Sequence, residues 1–357
     1  MFLTDLTLQQ FRSYAKRSFT FSPQISLIIG ANTVGKTNIL ESVMMLATGK
    51  SFRADTDRET IRWGADMGRI TAQFTMNKDK TKLEMMITTG TVNSQKAPIK
   101  RYLVNGVPKR LIDFIGNLRA VLFWPEHLEL VTDSPSIRRK YLDGVLVQVD
   151  REYRRSLISY ERGLRQRNRL LDLINKGTAH RHQLAFWDQL LIKSGSYLTD
   201  RRAAFITYIN SYRIPHLTYN VVYDKSVISE SRLDQYKDEE VAAKVTLVGP
   251  HRDDFSFYKQ DRNHTELLDL SKYGSRGEQR LAILWLKMAE LDFIQAETGE
   301  RPLLILDDIF SELDMEHREL VLQLLGKQQT IVSSAEEEIV QLLRKQKISA
   351  DIIRLAS

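Results

Sequence analysis

The stretch that decides the fold is IIGANTVGKTNILESV, residues 28–43. Its central part, GANTVGKT, matches the phosphate-binding pattern GxxxxGK[ST] at every fixed position. The β-branched run ISLII precedes the loop, and the apolar residues of KTNILESVMMLATGK recur at helical spacing up to Gly49. A strand, a glycine loop and a helix in this order predict a site for a nucleotide phosphate.

The residue types of this loop suit an anion. Glycines let the backbone turn several N–H groups toward one point, and the helix that follows adds its positive dipole end. We expect Lys36 to contact the β- and γ-phosphates of ATP and the Thr37 hydroxyl to ligate Mg²⁺. A glycine turn with a chance lysine is the alternative, which the flanking strand and helix disfavour. The predicted nucleotide-binding residues are Gly30, Ala31, Asn32, Thr33, Val34, Gly35, Lys36, Thr37 and Asn38.

A second element, LLILDD at residues 303–308, supplies acids that a P-loop ATPase needs. Its four apolar residues predict a buried strand that delivers two carboxylates at its end. We expect Asp307 to hold Mg²⁺ and Asp308 to polarise the attacking water. A strand that merely ends in acidic turn residues is the alternative. More than 260 residues separate Lys36 from Asp307, which predicts an ATPase domain split by an inserted segment.

A third element, LSKYGSRGEQR at residues 270–280, lies just before the apolar helix LAILWLKMAE. It resembles the signature sequence of ABC-type ATPases. That resemblance implies that Ser275 and Gly277 bind the γ-phosphate held by another subunit, through N–H groups at a helix start. A polar helix cap is the alternative. The stretch SELD that follows the acidic strand matches the D-loop pattern with Asp314.

Composition limits the class of protein. The 357 residues include no cysteine, which excludes disulfides and cysteine-ligated metals. The start MFLTDLTLQQ lacks the features of a signal peptide, and no apolar run approaches the ~18 residues of a membrane helix. We expect a soluble, cytoplasmic protein without a membrane partner.

The net charge of +7 is concentrated in the middle of the chain. Residues 151–213 hold 13 lysines and arginines against 5 acidic residues, a net +8, so the remainder sums to −1. Apolar residues at helical spacing on both sides of NKGTAHRHQ predict two helices that form an antiparallel hairpin. The basic hairpin suggests a polyanionic partner, with a solvated basic face as the alternative. The candidate DNA-binding residues are Arg154, Arg155, Arg162, Arg165 and Arg169.

Seven stretches in order resemble the RecF family, recombination-mediator ATPases related to SMC proteins. The resemblance runs from end to end and rests on LQQFRSY, GANTVGKTNILES, GKSFRADTDRE, FWPEHLELVTDSPSIRRKYLD, LVGPHRDDF, YGSRGEQR and LLILDDIFSELD. It implies an α/β fold: an ABC-type P-loop ATPase head built from N- and C-terminal parts, with an inserted helical hairpin arm. The expected segments are 1–150 with Walker A, the basic arm (lobe II) at 151–240, and 241–357 with signature, Walker B and D-loop.

The resemblance also implies a function. ATP and Mg²⁺ would join two copies into a homodimer that binds DNA at gaps or single-strand/double-strand junctions. With RecO and RecR, this dimer would promote RecA loading in replication-gap repair and the SOS response. Weak, DNA-dependent ATP hydrolysis would reset it, with Lys36 and Asp308 as catalytic residues and Asp314 at the dimer interface.

Three positions depart from the family or ABC pattern. Thr33 stands where many relatives have glycine. No Q-loop glutamine occurs between Gly116 and Leu130, where Val121 takes its place and Glu126 is nearby. The switch histidine is absent after the strand TIV, where Ser333 is the candidate substitute. These losses favour weak hydrolysis.

Other function classes remain as alternatives. A metabolic phosphotransferase would need a P-loop and a small-molecule acceptor, but the signature-like SRGEQ argues against it. A structural chromosome organiser would need long coiled-coil arms, which the short hairpin cannot supply. Another SMC-like repair ATPase, one associated with a nuclease, is the nearest alternative.

Overall fold

The computed structural model describes residues 1–76, 79–215, 217–260, 267–312 and 315–355. The chain forms two compact units. Unit 1 combines Met1–His127 with Glu290–Ser357, and unit 2 is Leu128–Ala289. The two ends of the chain thus build one unit, as the distance between the P-loop and the acidic strand predicts. The bounds of the units differ from those of the segments 1–150, 151–240 and 241–357, and that division stays a prediction.

The elements are numbered in chain order. The strands are β1 (Phe2–Phe11), β2 (Tyr14–Thr20), β3 (Ile25–Ile29), β4 (Met67–Met76), β5 (Asp79–Thr88), β6 (Thr91–Val92), β7 (Gln95–Lys96), β8 (Lys100–Val104), β9 (Val107–Lys109), β10 (Ala120–Phe123), β11 (Tyr219–Asp224), β12 (Asp254–Gln260), β13 (Leu267–Asp269), β14 (Leu303–Asp307), β15 (Thr330–Ser334) and β16 (Asp351–Arg354). The α-helices are α1 (Lys36–Thr48), α2 (Leu111–Phe114), α3 (Glu129–Thr132), α4 (Pro135–Val149), α5 (Arg151–Asn175), α6 (Ala185–Ser211), α7 (Glu230–Gln235), α8 (Lys237–Ala243), α9 (Leu270–Tyr273), α10 (Arg276–Thr298), α11 (Ile309–Glu312), α12 (Met315–Leu322) and α13 (Glu338–Lys345).

A parallel sheet forms the centre of unit 1. Its strand order is β10-β14-β15-β3-β16, and every neighbouring pair is parallel. Every residue of β3, β14 and β15 is buried, which explains why these strands read as continuous apolar runs rather than alternating ones. Because the strands are parallel, their carboxyl ends meet at one edge of the sheet.

An antiparallel sheet with strand order β2-β1-β4-β5-β8-β9 forms the second layer. Helix α1 contacts β5 of this sheet and β10, β14 and β15 of the parallel sheet, so it lies between the two layers. Alternation along β1 shows which face is inside: Leu6 and Leu8 are fully buried, while Thr7 and Gln9 are partly exposed. The face that carries Thr7 and Gln9 is called the outer face below.

The predicted helical hairpin is the main feature of unit 2. Helices α5 and α6 pack against each other, and the connecting segment contains only a short 3₁₀ turn. Asp150, at the start of α5, bonds Tyr197 on α6, whereas Arg167 farther along α5 bonds Asp188 near the start of α6. The two helices therefore run antiparallel. Among the described residues, no helix is long and apolar enough to cross a membrane.

Buried charges hold the base of this hairpin, and the LVGPHRDDF stretch supplies several of them. The Arg202 guanidinium of α6 donates to Asp143 at 2.8 Å and to Asp253 at 2.9 Å. Arg138 of α4 donates to both carboxylate oxygens of Asp254, at 2.6 and 2.9 Å. His251 is half-buried between the Tyr160 hydroxyl and a backbone carbonyl, and desolvation lowers its pKa to about 4. This histidine is neutral at physiological pH.

Candidate nucleotide-binding site

The predicted phosphate loop lies between the carboxyl end of β3 and the start of α1. The Lys36 ammonium turns back over the loop and donates to the carbonyls of Gly30 at 2.8 Å and Ala31 at 3.0 Å. Gly35 has φ 102° and Thr33 has φ 75°, both in the left-handed region. A β-branched residue is uncommon there, so Thr33 is a strained position. The loop backbone thus holds the Lys36 ammonium, which supplies the positive charge that a phosphate site requires.

The register of the parallel sheet brings the acidic strand to this loop. Asp307 of β14 pairs with Ser333 of β15, and Ser333 pairs with Ile28 of β3. Asp307 Oδ1 accepts hydrogen bonds from the Ser333 hydroxyl at 2.5 Å and the Thr37 hydroxyl at 3.3 Å. The carboxylate is 5% exposed, and a carboxylate buried to this degree needs such donors. Two predicted Mg²⁺ ligands, Thr37 and Asp307, are therefore in contact across 270 residues of chain.

Asp308 follows at the end of β14 in an unusual conformation. Its φ is 50°, and its N–H donates to the Ser333 carbonyl at 3.1 Å. Burial raises the pKa of the Asp308 carboxyl, while the Lys36 ammonium partly offsets this effect. Burial also lowers the pKa of Lys36, and the charges of Asp308 and Asp307 oppose that shift. The lysine and the two carboxylates thus share one electrostatic site.

The residues present fit ATP and Mg²⁺. The two side chains that donate to Asp307 Oδ1 are the hydroxyls of Thr37 and Ser333. Mg²⁺ prefers oxygen ligands, and it commonly uses one or two carboxylates together with phosphates and water. Thr37 and Asp307 are the residues that would hold the ion. When bound, Mg²⁺ neutralises charge on the phosphates. Lys36 would exchange its two loop carbonyls for phosphate oxygens.

A turn that the residue patterns did not single out for a role supports the loop from the other layer. The turn is FRSY, residues 11–14, between β1 and β2. The Tyr14 hydroxyl donates to the Gly35 carbonyl at 3.2 Å, and Asn38 donates to Ser13 Oγ at 3.0 Å. A side chain at position 35 would meet the Tyr14 hydroxyl at 2.7 Å, so glycine is required there by space as well as by φ.

Arg12 of the same turn makes the strongest of these contacts. Its guanidinium donates to both oxygens of Glu41 on α1, at 2.8 and 2.6 Å, and Glu41 is fully buried. The Ser51 hydroxyl also donates to Glu41, at 2.5 Å. The only sequence signal for this arrangement was the family resemblance of LQQFRSY and GKSFRADTDRE. Charge pairs between distant segments leave no periodic pattern.

Comparison with known proteins gives the family. The model of the RecF/RecN/SMC N-terminal domain family matches residues 2–350. A DNA replication and repair protein RecF from Lachnoclostridium phytofermentans is 36% identical over 345 residues, 93% of this chain and 92% of that protein. The chain belongs to the RecF family.

Other RecF relatives and solved structures agree. The RecF of Ligilactobacillus salivarius is 36% identical, with 98% of this chain and 95% of that protein covered. A solved structure described as the recombination mediator protein RecF with ATPrS in the RecFOR pathway has a TM-score of 0.84 at 26% identity. It covers 99% of this chain and 96% of the solved chain. An SMC head bound to a winged-helix domain of ScpA, at 16% identity and a TM-score of 0.51, shares the fold. The predicted ABC-type ATPase head with a helical arm is therefore confirmed.

The signature-like stretch LSKYGSRGEQR leads into helix α10, whose start lies in unit 2. Ser275 and Gly277 are both exposed at the helix start. Ser275 and Glu278 cap each other: Ser275 donates from its N–H and hydroxyl to Glu278 at 2.9 and 3.0 Å, and the Glu278 N–H donates back. Lys259 also donates to Glu278, at 2.5 Å, and holds the pKa of that carboxyl below its usual range. The alternative of a helix cap is thus present in the structure, and the phosphate-binding role of Ser275 and Gly277 stays a prediction.

The predicted place of the Q-loop lies in and after β10. Val121, which stands in the glutamine's place by sequence, lies within β10 and is fully buried, and its relation to the Q-loop stays a prediction. The strand ends at Phe123, and the 3₁₀ turn Pro125–Leu128 follows, with Glu126 exposed. Asp314, the predicted D-loop residue, lies outside the described residues.

The candidate DNA-binding arginines of the helical arm differ in their exposure to solvent. Arg155, Arg162, Arg165 and Arg169 are exposed and follow one side of α5, since their spacing of seven, three and four residues repeats the helix turn. Arg154 is 9% exposed and donates to the Val147 carbonyl at 2.9 Å. Arg167, which was not a candidate, is buried with Asp188 and Glu240. Part of the positive charge of the segment therefore stabilises the arm itself.

Proposed function

We propose that this chain is an ATP-dependent recombination mediator that binds DNA as a dimer. The observation that carries the proposal is the contact of Thr37 and Asp307 beside Lys36, because these residue types suit a phosphate and Mg²⁺. Family membership and the similarity to RecF structures described with ATP support the nucleotide. The RecFOR pathway named for those structures supports the role in recombination.

ATP would act as the link between two copies. Each copy would hold one nucleotide on its phosphate loop and present Ser275 and Gly277 to the nucleotide of the other copy. The Ser275 hydroxyl and N–H now donate to the Glu278 carboxylate. On dimerisation they would donate instead to the γ-phosphate of the nucleotide held by the other copy. Lys259 would keep Glu278 paired after the exchange.

Hydrolysis of ATP would cause the dimer to dissociate. Asp308 would orient the attacking water and accept its proton, and Lys36 would hold the γ-phosphate. We expect weak, DNA-dependent turnover, because aspartate is one methylene shorter than the glutamate usual in ABC ATPases. The binding switch, rather than rapid catalysis, would then be the purpose of the ATPase.

The exposed arginines Arg155, Arg162, Arg165 and Arg169 would contact DNA phosphates at gaps or junctions. Such contacts fix position without reading bases, and they weaken steeply with salt. Arg154 would contribute to the packing of the arm rather than to DNA. With RecO and RecR as partners, the DNA-bound dimer would promote loading of RecA in gap repair and the SOS response.

The test is the mass of the protein in solution by light scattering, with Mg²⁺ and either no nucleotide, ADP or ATP. We expect ATP alone to raise the mass from 41.4 kDa to twice that value. Lys36→Arg and Ser275→Arg should both stay monomeric. Ser275→Arg should still bind a fluorescent ATP analogue, since its own phosphate loop is intact.

Two outcomes would refute the proposal. One is a wild-type mass that does not change with ATP, even after gapped DNA is added. The other is a Ser275→Arg variant that dimerises as the wild type does, because the signature serine would then lie outside the interface.

A further inference from the structure

We propose that the turn bearing Trp63 binds a base of single-stranded nucleic acid, beside a row of cations that contacts the phosphates. The Trp63 turn is residues 61–66, and the basic row is Lys16, Arg69 and Arg101 on the outer face of the antiparallel sheet. The inference rests on the DNA binding proposed above, but it places a contact on the ATPase head rather than on the arm.

Trp63 is unusual because its side chain is 100% exposed. Of the other three tryptophans, Trp285 is 1% exposed, and Trp124 and Trp187 are half-buried. An indole in water forgoes a large gain from burial, and exposed tryptophans are enriched where partners bind. The position therefore indicates a contact rather than packing within unit 1.

The turn presents this side chain from a fixed backbone. The Arg62 N–H donates to the Gln10 carbonyl at 2.9 Å, and Ile61 forms a β-bridge with Phe11. The Ala65 N–H closes the turn on the Arg62 carbonyl at 3.0 Å. Gly64 has φ 81°, a conformation that side chains rarely adopt, and this brings the chain back toward β4. A turn fixed in this way loses little backbone entropy when a base stacks on the indole.

The register of the antiparallel sheet places the cations next to the turn. Gln9 pairs with Lys16 of β2 and with Arg69 of β4, Arg69 pairs with Met86, and Met86 pairs with Arg101 of β8. Directly paired residues point to the same face, so the three cations share one row. Four strand spacings of about 4.8 Å give the row a length of about 19 Å.

Gln9, which lies between Lys16 and Arg69 in the row, precedes Gln10, whose carbonyl anchors the turn. Arg62, which is exposed, adds a further cation within the turn itself. Arg69 is bonded to Glu84, so Lys16, Arg62 and Arg101 are the cations on which we base the phosphate contacts.

The combination favours single-stranded nucleic acid over other partners. Proteins that bind single strands join a positive track for the backbone with aromatic rings on which bases stack. In an intact duplex the bases already stack on each other, so an indole would gain contact only where bases are unpaired. A gap or a junction supplies such bases.

The test measures anisotropy of a fluorescein-labelled oligothymidylate and of a blunt duplex with the full chain, Mg²⁺ and ATP. We expect Trp63→Ala to weaken binding of the oligothymidylate about tenfold, which corresponds to about 1.4 kcal/mol, and to leave duplex binding unchanged. Trp63→Phe should retain most of the affinity, because it keeps a ring. Phe186→Ala removes another exposed aromatic side chain, on the arm, and should have no effect.

The phosphate contacts have their own variants. Lys16→Gln and Arg101→Gln should each weaken oligothymidylate binding and lower its salt dependence, whereas Trp63→Ala should leave the salt slope unchanged. Stacking should also quench the emission of Trp63, so titration of the wild type with oligothymidylate should lower fluorescence more than titration of Trp63→Phe.

The outcomes separate this inference from the proposed function. If Trp63→Ala binds the oligothymidylate as tightly as the wild type, the inference is wrong, and duplex binding in the same assay would leave the proposed function intact. If Trp63→Ala instead loses only a protein partner, the turn is a protein-docking site and the inference is also wrong. If the wild type binds neither DNA with ATP, both proposals fail.

Discussion

Replacing Ser333 with alanine tests whether this hydroxyl, the candidate substitute for the switch histidine, orients Asp307 for Mg²⁺. Ser333 is fully buried and donates at 2.5 Å to Asp307 Oδ1, the same oxygen that Thr37 reaches at 3.3 Å. The alanine variant would leave that oxygen with one longer hydrogen bond. Loss of a group that orients a metal ligand typically lowers metal affinity or activity about 10- to 100-fold, or about 1.4 to 2.7 kcal/mol.

The assay is ATP hydrolysis as a function of Mg²⁺ at fixed ATP, with ATP binding in EDTA measured separately. We expect Ser333→Ala to need about 10- to 100-fold more Mg²⁺ and to bind metal-free ATP normally, because Lys36 and the loop are unchanged. Ser334→Ala is the matched control: its hydroxyl is also buried, but it bonds Glu336. An Mg²⁺ requirement for Ser333→Ala equal to that of Ser334→Ala would refute the reasoning.

Three further predictions concern other contacts. Asp308→Asn should slow ATP hydrolysis about 100- to 10,000-fold and still form the ATP dimer, and a wild-type rate in this variant would contradict the role of Asp308. Burial raises the pKa of Asp308, and protonation removes the base. The wild-type hydrolysis rate should therefore fall with decreasing pH at a pKa above the ordinary aspartate value of about 3.9. Arg162→Gln and Arg165→Gln should each reduce the salt slope of duplex binding by about 0.9, and an unchanged slope would place the DNA elsewhere. Arg12→Ala should lower the free energy of unfolding in urea by about 3 to 5 kcal/mol, because Glu41 stays buried without its partner, whereas a loss no larger than that of Arg17→Ala would show that the pair contributes little.

The residue patterns predicted the helices, strands and loops that depend on interactions between residues near in sequence. The P-loop is a spacing of glycines, lysine and threonine within eight residues, and its strand and helix follow from apolar periodicity. The acidic strand is a short apolar run, and the helical hairpin is a repeat at helical spacing. Each of these patterns is formed by residues that are near one another in the sequence. Local geometry was therefore enough to predict the P-loop, the acidic strand and the helical hairpin.

The sequence was less informative about side-chain surroundings. Arg154 and Arg155 are neighbours in a basic helix, yet one is buried and the other exposed. A one-residue step rotates a helix by about 100°, so a count of arginines does not show which side faces water. The burial of Val121 within β10 is a second example, because the residues themselves do not mark where that strand ends.

The sequence by itself thus determined the class of fold and the phosphate loop, since these depend on contacts between near neighbours. Only the tertiary structure decided that Asp307, Ser333 and Thr37 meet, that Arg12 closes on Glu41, and that Trp63 stands beside a row of cations. These contacts join residues up to 270 positions apart. They depend on strand order and register, which pair residues across a sheet without leaving a pattern along the chain.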